Sequence, residues 1–354
     1  PPAAAAPTVR RRATAALGAA AAIAVLAAAA CGSPAADAPP AADPAAAATA
    51  DPALAAAGAA ATSTLGAGAA AAAAPTAPGA RLAAVRARGR LLCGVQDKLP
   101  GFGYLDPNGD YQGFDVDFCR AVAAAVLGDA TAVEFKPLTA QQRFTALQTG
   151  EIDILIRITS WALSRGRQNG LDFAPTTFYD GQGMMVRADL GVTELAGLDG
   201  ATVCVTSGTT TEKNLGDAMR TAGAAYTPVV LEDADQVFSA YDSGRCDAVT
   251  SDKSQLASRQ TTLADPAAHV ILDLTLSKEP LGPAVLQGDA QWADIVNWVA
   301  FAVIAAEEHG ITSANVDTFL GSDDPEVRRL LGVEDALGEG LGLANDFVVP
   351  VLRA

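Results

Sequence analysis

Three short polar stretches of the chain carry side chains able to hold a small charged molecule. Thr159-Ser160-Trp161-Ala162-Leu163-Ser164-Arg165 ends in a guanidinium, whose planar fork matches a carboxylate bidentately. On its own, a loop arginine is more often a solvated surface residue. Ser207-Gly208-Thr209-Thr210-Thr211-Glu212 puts Thr209 and Glu212 three residues apart, the spacing of a capping box. Such a helix start presents unpaired N–H groups and a positive dipole end to an anion, although plain capping accounts for the spacing equally well. Asp252 follows an apolar run and offers a carboxylate to an ammonium, or serves as a cap or turn residue. Together these groups change meaning: Arg165 on one side and Asp252 with Thr209 and Thr210 on the other would bridge an amino-acid zwitterion across a cleft. Each stands at the carboxyl end of an expected strand, where ligands of α/β sheets collect.

Nothing in the sequence sets up covalent catalysis. His269 and His309 are isolated, and no Gly-x-Ser-x-Gly, Walker-type loop or His-Glu-x-x-His run occurs. Cys93, Cys119, Cys204 and Cys246 lack metal-ligand spacing, and no cofactor or metal is expected. The four allow three pairings. By element, Cys93 would meet Cys119 and Cys204 would meet Cys246, yet buried free thiols in strand and helix cores fit as well.

The elements that would position these groups alternate along the chain. Strand Leu91–Val95, helix Val116–Leu127, strand Val133–Phe135, helix Ala140–Gln148 and strand Ile152–Ile158 form one series. Strand Val203–Val205, helix Thr210–Thr221, strand Thr227–Val230, helix Asp235–Tyr241 and strand Asp247–Thr250 form a second. This β-α-β order predicts an α/β fold with sheets covered by helices. Gly150-Glu151-Ile152-Asp153 and Gly244-Arg245-Cys246-Asp247 end a helix and open a strand in the same way, which fits two similar lobes or the ordinary recurrence of such units. The remainder reads as helix: a long amphipathic one over Ala290–His309, then Asn315–Leu320, Pro325–Leu331 and Leu343–Leu352.

Composition divides the chain. It has 354 residues, half of them hydrophobic but only 5% aromatic, so alanine supplies much of the apolar count. Residues 1–80 hold 42 alanines and no aromatic residue, and the whole net charge of −16 falls after them. A chain this acidic lacks the Lys/Arg clusters that a phosphate backbone needs, which excludes nucleic acid as a partner. Arg10-Arg11-Arg12, the apolar run Ala13 to Ala30 and then Cys31-Gly32-Ser33 follow the order of an export signal, residues 1–31. The lone Cys31 after small residues resembles a bacterial lipoprotein signal, with the thiol carrying the lipid; ordinary cleavage, an uncleaved anchor helix and an incidental cysteine are the alternatives. Residues 32–80 contain little bulky enough to bury and read as a tether.

Gly113-Phe114-Asp115-Val116-Asp117-Phe118-Cys119-Arg120-Ala121, Arg143-Phe144-Thr145-Ala146-Leu147-Gln148-Thr149-Gly150-Glu151, Thr206 to Glu212 and Ser277-Lys278-Glu279-Pro280-Leu281-Gly282-Pro283-Ala284-Val285 occur in that order. The series resembles the family 3 bacterial extracellular solute-binding proteins of amino-acid ABC transporters, in their general L-amino-acid-binding branch, over about residues 81–347. The resemblance implies the two-lobed periplasmic-binding-protein fold of type II. Lobe 1 would take residues 81–186 and 278–354, lobe 2 residues 187–277, and two crossovers near Met185–Ala188 and Asp273–Lys278 would join them. It places the α-carboxylate of a free L-amino acid on Arg165, with Ser160 in support, and the α-ammonium on Asp252. Thr209 and Thr210, after Gly208, supply helix-start donors. Relatives that prefer cationic ligands carry an aspartate and an aromatic where this chain has Gln96 and Leu99, so the side-chain pocket, with Phe102 as an apolar wall, implies broad or polar specificity. A monomer is implied that is not an enzyme, works in the periplasm or at the outer face of the membrane, and hands its ligand to an ABC permease. A binding protein or ectodomain for amino-acid sensing is the second reading, and a prephenate- or arogenate-type dehydratase on the same fold the third.

Overall fold

The computed structural model describes residues 77–354. The expected export signal, Cys31 and nearly all of the tether lie outside these residues. Within them the chain builds a five-stranded sheet, a six-stranded sheet and a small three-stranded meander.

The first sheet runs in the order Val133–Pro137, Leu91–Val95, Ile154–Leu155, Ala284–Leu286, Leu171–Phe173. Its first three strands are parallel, and Ala284–Leu286 is antiparallel to both neighbours. The second sheet places Tyr226–Leu231, Ala201–Thr206 and Ala248–Asp252 in parallel, then Phe178–Arg187 antiparallel to the last of them. Both connections between the sheets pass through one ribbon, in which Phe178–Arg187 lies antiparallel to Ser277–Leu281 with Gln182 opposite Ser277. Parallel strands buried on both faces need apolar runs without alternation, and Leu91, Cys93, Val95, Val203, Cys204 and Val205 are all buried.

Helices cover the first sheet because their apolar faces have nowhere else to go. Helix Phe114–Leu127 buries a stripe of valine and alanine and stops at Gly128, which takes the left-handed conformation that glycine adopts without a Cβ clash. Helix Ala290–Glu308 inserts Trp292, Ile295 and Val299 into the same core, where Val327, Leu331 and Val348 of the C-terminal helices also lie. The helix expected over Leu343–Leu352 begins only at Val348 and runs to Arg353, and a separate short helix, Leu337–Leu341, precedes it and ends at Gly342, φ +73°. The strand expected over Ile152–Ile158 shortens to Ile154–Leu155. At its start the buried Asp153 carboxylate accepts from the N–H of Leu92 at 2.8 Å and from Arg81 and Arg88; at its end Ile158 turns out at φ +37°.

Of the cysteine alternatives the structure takes the pairs within each series: Cys93–Cys119 ties a strand of the first sheet to its covering helix, and Cys204–Cys246 ties neighbouring parts of the second. Closing loops of this length removes unfolded-chain entropy worth about 3–4 kcal/mol each. Among the described residues no helix is long and apolar enough to cross a membrane, and no His/Cys/Asp/Glu group could hold a metal ion.

Candidate ligand-binding site

The carboxyl ends of the strands in both sheets converge on one small polar cavity. Arg165, Ser160, Gln96, Thr209, Thr210 and Asp252, all singled out from the sequence, line it. Gly208, also expected there, is not among the lining residues; it sits at φ +72° and its carbonyl accepts from the Arg143 guanidinium at 3.4 Å.

Helix Leu163–Gln168 carries Arg165 into the cavity rather than out to solvent. Its Nη1 donates to the carbonyl of Ser160 at 2.7 Å and its guanidinium lies 5.3 Å over the Phe144 ring, which together fix its direction. Burial lowers its pKa, and Glu279 and Asp252 nearby partly restore it. Ser160 faces the opposite side, its Oγ 3.5 Å from the Thr210 hydroxyl.

The helix start at Thr209 is capped in the manner of a capping box, with the Glu212 carboxylate reaching one residue beyond the N-cap. Thr209 Oγ1 accepts from the N–H of Glu212 at 3.1 Å, and the Glu212 carboxylate accepts from the N–H of Gly208 at 2.8 Å. Thr209 Oγ1 also donates to the carbonyl of Thr206 at 2.7 Å, so its hydroxyl is committed to the helix. The free donors at this end are backbone N–H groups of the first turn. Gln182, fully buried in the ribbon, donates to the Thr211 carbonyl and the Thr250 hydroxyl at 2.9 Å each and thereby holds the helix start against strand Ala248–Asp252. Thr210 donates to Glu279 at 2.9 Å.

Asp252 ends that strand. It is 6% exposed, and its Oδ1 is buried without a hydrogen-bond partner among the described residues. Desolvation, reinforced by the carboxylates of Glu279 and Asp180 and opposed by Arg143 and Arg165, pushes its pKa up to about 8. A buried acceptor without a donor costs free energy that only an incoming donor can recover.

Two residues expected at the ligand, both in the loop after the first strand, do not line this cavity. Leu99 is fully buried and Phe102 nearly so; they pack with Leu281, and Phe102 meets Phe114 and Phe178 edge to face. Their apolar bulk is satisfied inside the protein, which leaves Gln96 as the one member of that trio on the cavity wall.

Sequence reasoning missed Arg143, Arg157 and Asp115. Arg143 is 2% exposed, stacks on Phe144 at 4.7 Å and has a buried, unpartnered Nε; burial, with Arg165 and Arg157 close by, drives its pKa well down. The available signal was its place on the same helix face as Ala146 and Leu147. Asp115 accepts from the N–H of Ile158 at 2.8 Å and so pins the strained turn that leads to Ser160; burial raises its pKa to about 7.

An arginine fork, a helix start and an orphaned carboxylate between two α/β sheets joined by a two-stranded ribbon define a two-lobed binding protein of the periplasmic type. Residues 91–308 match the model of the bacterial extracellular solute-binding proteins, family 3, and the chain belongs to that family. It is 51% identical over 279 residues to the general L-amino acid-binding periplasmic protein AapJ of Rhizobium johnstonii, covering 78% of this chain and 82% of the relative. It is 49% identical to the glutamate/glutamine/aspartate/asparagine-binding protein BztA of Rhodobacter capsulatus, with the same coverage. Among solved structures, a periplasmic binding protein from Brucella ovis with glutathione bound superposes with a TM-score of 0.75 at 50% identity, covering 77% of this chain and 86% of that one.

Proposed function

We propose that this chain is the extracytoplasmic binding component of an ABC transporter for L-amino acids and that the cavity holds the ligand's backbone zwitterion. Arg165 takes the α-carboxylate together with N–H groups at the start of helix Thr210–Thr221, and Asp252 takes the α-ammonium. The single observation that carries this reading is the Asp252 Oδ1, buried without a partner in the same cavity as the Arg165 guanidinium. The cavity encloses only about 30 Å³, room for roughly one water, so a ligand enters as the walls part and is held as they return.

Residues 81–186 with 278–354 form one moving lobe in this reading and residues 187–277 the other, hinged on the ribbon. Gln141 donating to Ser207 at 3.1 Å and Ser258 donating to the carbonyl of Pro100 at 2.9 Å are contacts that opening would break. Closing strengthens the charged contacts by excluding water. No bond is made or broken. The relatives' names support broad or polar specificity, export, and delivery to a membrane permease; a lipid on Cys31 would keep a monomeric binder near it. A thermal-shift panel of the protein-building L-amino acids tests the proposal: several should raise the unfolding midpoint in proportion to concentration over Kd, and no shift with any of them contradicts it.

A further inference from the structure

Thr210 Oγ1 donates its one proton to the Glu279 carboxylate, so toward the cavity it presents only lone pairs. The Ser160 hydroxyl, 3.5 Å away, is then the donor of that pair. A chain of hydrogen bonds thus runs from the loop after strand Ile154–Leu155, through the helix start, to the ribbon that connects the sheets.

The residue at the end of this chain is a buried charge. Glu279 is 2% exposed and sits mid-strand in Ser277–Leu281, directly opposite Asp180. Its other oxygen accepts from the Asn214 amide at 3.1 Å and from the Ser277 hydroxyl. These partners are all neutral, and among the described residues no cation pairs with it. A buried charge without a counter-ion costs free energy, and such groups cluster at functional sites.

Strand register aims this charge at Asp252. Asp252 stands opposite Gln182 on one side and Ser277 opposite it on the other, so the three share a face, and Asp180 with Glu279 lies two residues along on that face. Asp180 is engaged by the N–H and hydroxyl of Ser254. Arg143 and Arg165 oppose the two carboxylates from the helices of the first sheet. Lys253, next in sequence, is turned to Thr275 at 2.8 Å, and Glu212 to the N–H of Gly208. After burial itself, Glu279 is the largest influence holding a proton on Asp252, ahead of Asp180.

We propose that Glu279 is a positioning residue for ligand capture: from the connecting ribbon its carboxylate holds the Thr210 hydroxyl and, by repulsion, makes Asp252 surrender a ligand's ammonium as the medium acidifies. The proposal rests on the zwitterion reading, which puts that ammonium on Asp252.

Calorimetric titration of L-alanine and L-glutamine, both neutral in the side chain, into the wild type, Glu279→Gln, Glu279→Asp and Asp180→Asn from about pH 6 to pH 8.5 tests it. The wild type should lose affinity as pH falls. Glu279→Gln keeps an oxygen for Thr210 and removes the charge, so the midpoint of that loss should move down by about one pH unit or more, and the ratio of Kd between the two ends of the range should shrink about five- to tenfold. Glu279→Asp keeps the charge but shortens the reach to Thr210, so affinity should fall at every pH with the midpoint near that of the wild type. Asp180→Asn leaves Thr210 held and should move the midpoint the same way by less, which decides the matter where Glu279→Gln does not fold. A midpoint unmoved in the folded charge-removing variants, or Glu279→Asp binding as the wild type does, overturns the role of Glu279 alone. A flat wild-type profile, or a wild type that binds neither ligand, overturns the zwitterion reading, and this proposal with it.

Discussion

The two ends of strand Ala248–Asp252 treat their carboxylates in opposite ways. At its amino end Asp247 accepts from both the N–H and the hydroxyl of Thr202, at 2.8 and 2.7 Å, and these bonds lower its pKa. At its carboxyl end Asp252 keeps an oxygen without a donor, and burial raises its pKa. The first sheet repeats the contrast in hydrogen bonding, although burial raises the pKa of its amino-end carboxylate, Asp153. Asp153, leading into strand Ile154–Leu155, is saturated by Leu92, Arg81 and Arg88, whereas Arg157 and the turn at Ile158 beyond that strand carry unused donors and strain. The amino ends of the strands use charge to hold the sheets together. The carboxyl ends leave charge unsatisfied, which costs stability in the free protein and is recovered only with a ligand in place.

The contrast predicts how binding should depend on pH. Asp252 starts from a raised pKa of about 8, and an ammonium against Oδ1 needs the ionised form. Affinity for a neutral amino acid should therefore be fullest just above pH 8 and fall, by up to about tenfold per pH unit, as pH drops below it. Calorimetry at a series of pH values checks this, and a flat profile breaks the assignment. A smaller effect separates the two ends by sign. The unfolded chain ionises Asp252 near the ordinary carboxylate value and the folded chain only near 8, so this group costs stability that grows through that window and is complete above it. Asp247, with its lowered pKa, contributes stability present above the ordinary carboxylate value and lost as pH falls through its folded pKa. At pH 8 without ligand, Asp252→Asn should raise the thermal midpoint by about 2–4 °C and Asp247→Asn should lower it. Shifts of the same sign would erase the distinction.

Local signals made part of this legible from the sequence. Helix Thr210–Thr221 begins where the Thr209–Glu212 capping box puts it, because a cap acts over a few residues. Arg165, Ser160, Thr210 and Asp252 come together because β-α-β order alone sends loops after parallel strands to one edge. What stayed hidden depends on packing between distant segments. Nothing local tells that Leu99 and Phe102 turn away to meet Leu281, or that Phe178–Arg187 becomes the ribbon shared by both connections. Arg143 and Arg157 look like surface residues until Phe144 and Leu138 cover them.

The central claim is that Arg165 anchors the carboxylate of a free amino acid. Its most direct test is calorimetric titration of the amino acid that stabilises the wild type most into Arg165→Ala, with circular dichroism confirming the fold. Removing one partner of a buried, hydrogen-bonded charge pair typically costs about 2–5 kcal/mol, so affinity should fall by about thirtyfold or more. Binding within about threefold of the wild type would contradict it.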